Sequence, residues 1–250
     1  MPGHSTRIER TRPLGEERSK RQERAHRILD AAAELIERWG YKKTAVDDIA
    51  RLAGVAKGTI YLHWKTREDL FMTLILREAL EATRAVQERI DNDPEGLYLS
   101  QMLKHALSVT LSRPLAKALF TQDISILGEL LQNSQGDLSF LVRQKTLLGQ
   151  QLLEFFRSKG TLRTDQSLEK QLKMYRAIVT GFITTDPSLP EVYQSSPEET
   201  AELMAETIHA TLEPAEPVAP EVLREIKVVW DQSMRQFTQL LDERLRKELE

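Results

Sequence analysis

Cysteine is absent from the 250 residues, which excludes disulfides, thiol nucleophiles and cysteine-ligated zinc. Long apolar runs are absent too. The longest stretch without Asp, Glu, Lys or Arg is residues 177–185, about half the ~20 residues a membrane-spanning helix needs, so no membrane partner is expected. Residues 1–23 are rich in arginine but hold no apolar segment of the kind a secretory signal requires, which leads to the expectation of a cytoplasmic protein. Glycine and proline are scarce at 11 and 10, aromatics make up 6%, and runs of Val, Ile, Tyr or Phe with period two are hard to find. Ala, Leu, Glu, Arg and Gln abound instead, so the expected fold class is all-α.

The five histidines show no HExxH or similar spacing, so no metal site is expected. No paired carboxylates or nucleophile–base arrangement can be located, and neither a cofactor nor an enzymatic function is expected.

The net charge of -3 hides an asymmetry. Residues 1–70 carry 15 Lys and Arg against 11 Asp and Glu, and the remainder 20 against 27. A basic N-terminal unit on an acidic chain suggests a polyanion-binding module joined to a part that must not bind polyanions.

The sequence pattern divides the chain into five parts. Residues 1–23 alternate basic and acidic side chains around Pro2, Pro13 and Gly15 and read as a basic flexible arm. Residues 24–70 form the first folded unit. There Ile28, Ala32, Leu35, Ile36 and Trp39 make one helical stripe, closed by Gly40. Thr44 is placed to cap a two-turn helix bearing Val46, Ile49, Ala50 and Ala53. After Gly54 a second short helix runs over about residues 56–64, anchored by Ile60. Two short helices joined by a glycine turn after a longer one are a helix-turn-helix signal. Residues 71–213 then read as a larger helical region. Its helices are expected at 66–90, 97–112, 114–121, 123–132, 137–159 and 165–184, with a last one opened by the capping box Ser196-Pro197-Glu198-Glu199. Residues 214–220 hold three prolines and read as a stiff linker, and 221–250 as an amphipathic C-terminal helix.

The segment Lys57-Gly58-Thr59-Ile60-Tyr61-Leu62-His63-Trp64-Lys65 is basic, hydroxylated or aromatic at its non-core positions. That suits a recognition helix: Lys57 to a base edge or phosphate, Thr59 to a thymine methyl or phosphate, Tyr61 and His63 further along the groove face. Gly58 lets the backbone come close to a duplex. Lys43 and Thr44 on one side, and Lys65 and Arg67 on the other, complete an expected phosphate clamp. Trp64 is expected in the core with Trp39 and Ile60.

Ala31-Ala32-Ala33-Glu34-Leu35, Gly40-Tyr41, Thr44, Ile49-Ala50, the run from Ala53 to Lys65 and Glu68-Asp69-Leu70 together resemble the DNA-binding domain of the TetR (tetracycline-repressor-like) regulators. The resemblance implies an all-helical homodimer, with a three-helix DNA-binding domain and a larger helical domain for dimerisation and ligand binding. The C-terminal helix is an addition to that plan. Thr44, Lys57, Thr59, Tyr61, His63 and Lys65 would then touch DNA. By the same resemblance an effector pocket would lie among helices that carry Met102, Phe120, Phe140, Phe155 and Tyr175. Residues 177–185 and 201–212 offer apolar faces suited to a two-fold interface.

The function expected is a ligand-responsive repressor bound as a dimer to a palindromic DNA operator and released by a small apolar effector. The alternative is a DNA-bound scaffold that recruits a protein partner through its helical domain and has no small-molecule effector.

Overall fold

The computed structural model describes residues 14–121, 127, 137–185 and 189–249, and among these there is no strand. The α-helices in chain order are α1 (Leu14–Lys43), α2 (Val46–Ala53), α3 (Lys57–Tyr61), α4 (Arg67–Asp91), α5 (Leu99–Leu111), α6 (Pro114–Thr121), α7 (Asp137–Ser158), α8 (Leu168–Thr185), α9 (Pro197–Leu212) and α10 (Pro220–Leu249). The fold class is all-α, as composition implied.

Local chemistry sets most boundaries. Thr66 and Asp69 form a reciprocal capping box at the start of α4, and Ser196 and Glu199 form another at the start of α9, with Pro197 in the first turn. Gly54 ends α2 in the left-handed conformation at φ 66°, ψ 38°, where a side chain would be strained.

Four expectations need correction. The arm was expected to run to residue 23, yet α1 begins at Leu14. Ser19 donates to Glu23 one turn on at 3.2 Å, and polar residues at such i,i+4 spacing extend a helix as readily as they solvate a tail. The part of the arm at 1–13 lies outside the described residues, as does most of the helix expected at 123–132. Trp39 is 41% exposed rather than core. The chain breaks at Gly40, φ 74° and ψ 167°, and brings Tyr41 inward instead, edge-to-face on Phe71 at 4.9 Å. Thr44 does not cap α2. The N-cap is Ala45, while Thr44 is buried and donates its hydroxyl to the Gly40 carbonyl at 2.9 Å. Finally, α8 starts at Leu168 rather than Asp165: Ser167 accepts from the Lys170 N–H at 3.4 Å as a cap, while Asp165 in the preceding turn pairs with Arg163 at 2.6 Å.

The helices bury two apolar cores. The first is built by α1–α4 around Ile28, Ile36, Ile49, Ile60, Leu70 and Phe71, extends along α4 to Leu80, and takes in Leu115 of α6, Leu141 of α7 and the last turns of α10. The second joins the far end of α4 at Ile90 to α5, α7, α8, α9 and the first half of α10. The 70/71 division therefore falls inside α4, a single helix that belongs to both cores. Among the described residues no helix is long and apolar enough to cross a membrane.

Candidate nucleic-acid interface

The short helix α3 owes its pose to two buried anchors. Ile60 and Trp64 are each 2% exposed, and Trp64 donates its indole N–H to Thr73 Oγ1 at 2.8 Å. Thr73 in turn donates to the Asp69 carbonyl. This chain ties α3 to α4 with every buried polar group in it paired. With Ile60 turned inward, the 100° step per residue of an α-helix sends Gly58 and Leu62 to the opposite side and Lys57 and Tyr61 between. Lys57, Gly58, Tyr61 and Leu62 are accordingly exposed, Tyr61 by 45% and Leu62 by 75%.

Lys57 donates to the Asp47 carboxylate of α2 at 2.8 Å, and that bond together with the carboxylate charge raises the pKa of the ammonium. An ammonium has three donors, so one bond to Asp47 leaves two for a nucleotide. A Cβ built on Gly58 would meet nothing within 4 Å, so the glycine is not required by packing within the chain. Lys43, the last residue of α1, and Lys65, between α3 and α4, are both exposed.

The remaining expected residues lie differently. Thr59 and His63 are half-buried. The ring of His63 rests beside Trp64, with 5.3 Å between centroids, and its Nδ1 is buried without a partner. Burial first, and then the positive charges of Arg21 and Arg24, push its pKa below the ordinary 6.5, so near neutral pH it is an uncharged ring. Thr44 is turned inward, with its N–H bonded to the Tyr41 carbonyl as well. Arg67 is also taken up by the fold: it donates to the Tyr41 carbonyl, and its guanidinium carbon lies 3.9 Å from the Tyr41 ring centroid. The start of α4 is no open anion site either, because the Thr66 and Asp69 amides are used in the capping box and Glu68 and Asp69 occupy its positive end.

The exposed position of Leu62 on this edge and the contact of Arg21 with it were not anticipated. Leu62 presents an exposed apolar side chain beside Gly58. Arg21, in the helical part of the supposed arm, donates to the Leu62 carbonyl at 3.5 Å. An apolar residue outside the core stripe was the available signal for Leu62. Nothing local marks Arg21, whose contact spans 41 positions in the chain.

Of the five suggested effector contacts, three lie in or against the second core and two outside it. Met102 is buried in the second core, with Phe155 and Tyr175 packed partly buried against it. Phe120 is 42% exposed, and Phe140 lies under Arg244 of α10 at 4.7 Å.

Residues 28–74, which span the end of α1 through the first third of α4, match the family described as bacterial regulatory proteins, tetR family. The fatty acid metabolism regulator protein of Bacillus subtilis is 41% identical over 63 residues, 25% of this chain and 32% of that protein, so the likeness spans about a third of the relative's length. The HTH-type transcriptional regulator AcrR of Shigella flexneri is 27% identical over 168 residues, 65% of this chain and 77% of its own. Among solved structures, Bacillus subtilis FadR in complex with stearoyl-CoA superposes with a TM-score of 0.54 at 23% identity, over 73% of this chain and 96% of FadR. NalD of Pseudomonas aeruginosa, the secondary repressor of the MexAB-OprM multidrug efflux pump, gives 0.56 at 21%, over 79% of this chain and all of NalD. At those identities the structural likeness is one of fold.

Proposed function

Residues 28–74 belong to the tetR family of bacterial regulatory proteins, and from that premise we propose that the whole chain is a transcriptional repressor that grips a palindromic operator as a homodimer. A small apolar effector releases it. Binding energy alone drives this cycle, with no chemical step. Residues 24–70 are the DNA-binding unit, 71–213 the effector and dimerisation unit, 214–220 the linker, and 221–250 the C-terminal helix.

The observation that carries the reading is the exposed edge of α3. Lys57, Gly58 and Tyr61 stand there together, backed by the buried pair Ile60 and Trp64, with the exposed Lys43 and Lys65 before and after α3 in the chain. Cations at the flanks supply sequence-independent attraction to phosphates, while the α3 edge reads bases. Thr59 and His63 contribute their half-exposed edges. Thr44 and Arg67 act at one remove, holding the loop that presents Lys43.

A cleft of about 410 Å³ between α8 and α9, lined by Ala177, Ile178, Gly181, Phe182 and Leu203 among others, supports pairing of two subunits through these helices. Small residues let the partner's backbone come close. The apolar second core, with Met102, Phe155 and Tyr175, supports an apolar effector, and the stearoyl-CoA held by FadR is of that chemical class. Because α4 runs from that core to α3, a ligand that shifts Ile90 moves the recognition helix. A coupling of about 1–3 kcal/mol would change operator affinity roughly 5- to 150-fold.

Selection of bound duplexes from a random pool tests the reading. It is expected to enrich an inverted repeat whose half-sites lie about 10 base pairs apart, or a multiple of that. Enrichment of single, unrepeated sites, or of nothing, would overturn it.

A further inference from the structure

Helix α10 runs unbroken for 30 residues, about 45 Å of rod at 1.5 Å per residue. Its inward stripe serves two cores in succession. Ile226, Trp230 and Met234 belong to the second core, while Phe237, Leu241, Leu245 and Leu249 belong to the first, beside the helices that carry the DNA-facing edge. Ion pairs set its course antiparallel to α4: Lys227 meets Asp91 at the far end of α4 at 3.1 Å, and Asp242 meets Arg84 nearer the middle at 3.5 Å. Contact of Arg244 with Phe140, and an ion pair of Glu225 with Lys159, fasten the same rod to α7 and the residue after it.

Two other helices reach both cores: α4 runs from Leu70 to Ile90, and α7 places Leu141 in the first core and Leu153 and Phe156 in the second. α10 is a further rod seated in both cores and stiffens the joint, because any swing of α1–α3, one driven by an effector at Ile90 included, must drag Phe237, Leu241, Leu245 and Leu249 across or out of the first core. Packed interiors resist such sliding. At the centre of the first core, Ile28, Leu29, Leu70 and Phe71 of α1 and α4 are fully buried, and the α10 residues pack in the same cluster.

We propose that α10 is a splint. Phe237, Leu241, Leu245 and Leu249 are positioning residues that fix the angle between α1–α3 and the rest of the chain. Resting on the dimeric reading above, they thereby fix the separation of the two recognition helices on DNA.

The test uses the full chain and the double variant Leu241→Ala, Leu245→Ala. The absence of native cysteine allows clean nitroxide labelling at Leu52→Cys and Lys173→Cys, both exposed positions, one on α2 and one on α8, which packs in the second core. Labelled chains are diluted into unlabelled ones so that only distances within one chain are read. The wild-type background is expected to give a narrow distance distribution and the splint variant a broad one; equal widths would overturn the proposal whatever DNA does.

Duplex binding supplies the second readout. Wild type should lose about tenfold or more in affinity when the selected half-sites are moved apart by half a helical turn, and the variant less than about threefold, with single half-site affinity unchanged in both. A broadened distribution with the spacing preference intact would overturn the role on DNA. A wild type with no spacing preference would instead overturn the dimeric reading, and the label distances would judge the splint by themselves. Should the double variant fail to fold, Leu249→Ala, at the rim of the core, carries the same measurements.

Discussion

Gly58→Ala separates folding from DNA binding with effects of opposite sign. In the free chain the new methyl meets nothing within 4 Å, and Gly58 is not among the glycines with positive φ. Alanine there removes the conformational freedom that glycine enjoys when unfolded and improves helix propensity, worth about 0.5 kcal/mol in favour of folding. For a chain of this size that is roughly a 1–2 °C rise in Tm. On DNA the same methyl stands where the duplex must come closest, opposite the buried Ile60. A displacement that costs about 1.4 kcal/mol lowers operator affinity tenfold. Differential scanning fluorimetry and fluorescence anisotropy on the selected operator read the two quantities in one preparation. A variant with raised Tm and undiminished affinity would refute the claim that Gly58 faces the duplex, and a lowered Tm would refute the account of the local packing.

The other predictions concern neighbouring side chains. Lys65→Ala should weaken all duplexes alike and lower the slope of log affinity against log salt by about 0.9, whereas Arg67→Lys should leave that slope unchanged, since Arg67 is engaged with Tyr41. Arg67→Lys should instead cost about 1 kcal/mol of stability through the lost stack and fork, seen as a reduced denaturation midpoint. His63 is held neutral by burial, so its folded pKa lies below the unfolded 6.5. Its contribution to stability is therefore present above 6.5 and declines as pH falls through the folded value, because the unfolded chain takes up the proton first. Chemical denaturation of wild type and His63→Gln between pH 5 and 8 should show the variant with a flatter decline; parallel curves would count against burial of the ring.

What could be read from the sequence was what chemistry between near neighbours decides. The box at Ser196 and Glu199, the stop at Gly54 and the anchors Ile60 and Trp64 all follow from residues within a few positions of one another. The face of α3 was legible for the same reason, since one inward isoleucine on a short helix dictates which side chains look outward. What failed was non-local. Arg67 looked like a free cation until the chain brought Tyr41, 26 positions earlier, beneath it. Thr44 looked like a cap because the break at Gly40, which buries it, follows from how α1 meets α4. The stripe on α10 was visible in full from Ile226 to Leu249, yet a stripe states only that a surface is covered, not that two separate cores share the covering.

Binding of wild type, Lys57→Ala and Tyr61→Ala to the selected operator, alongside a scrambled duplex of equal length and charge, tests the central claim most directly. The account predicts that each variant keeps its assembly state and scrambled-duplex affinity while its preference for the operator falls about tenfold or more, as expected for loss of base contacts worth about 1–3 kcal/mol. Operator preference undiminished in both variants would contradict it.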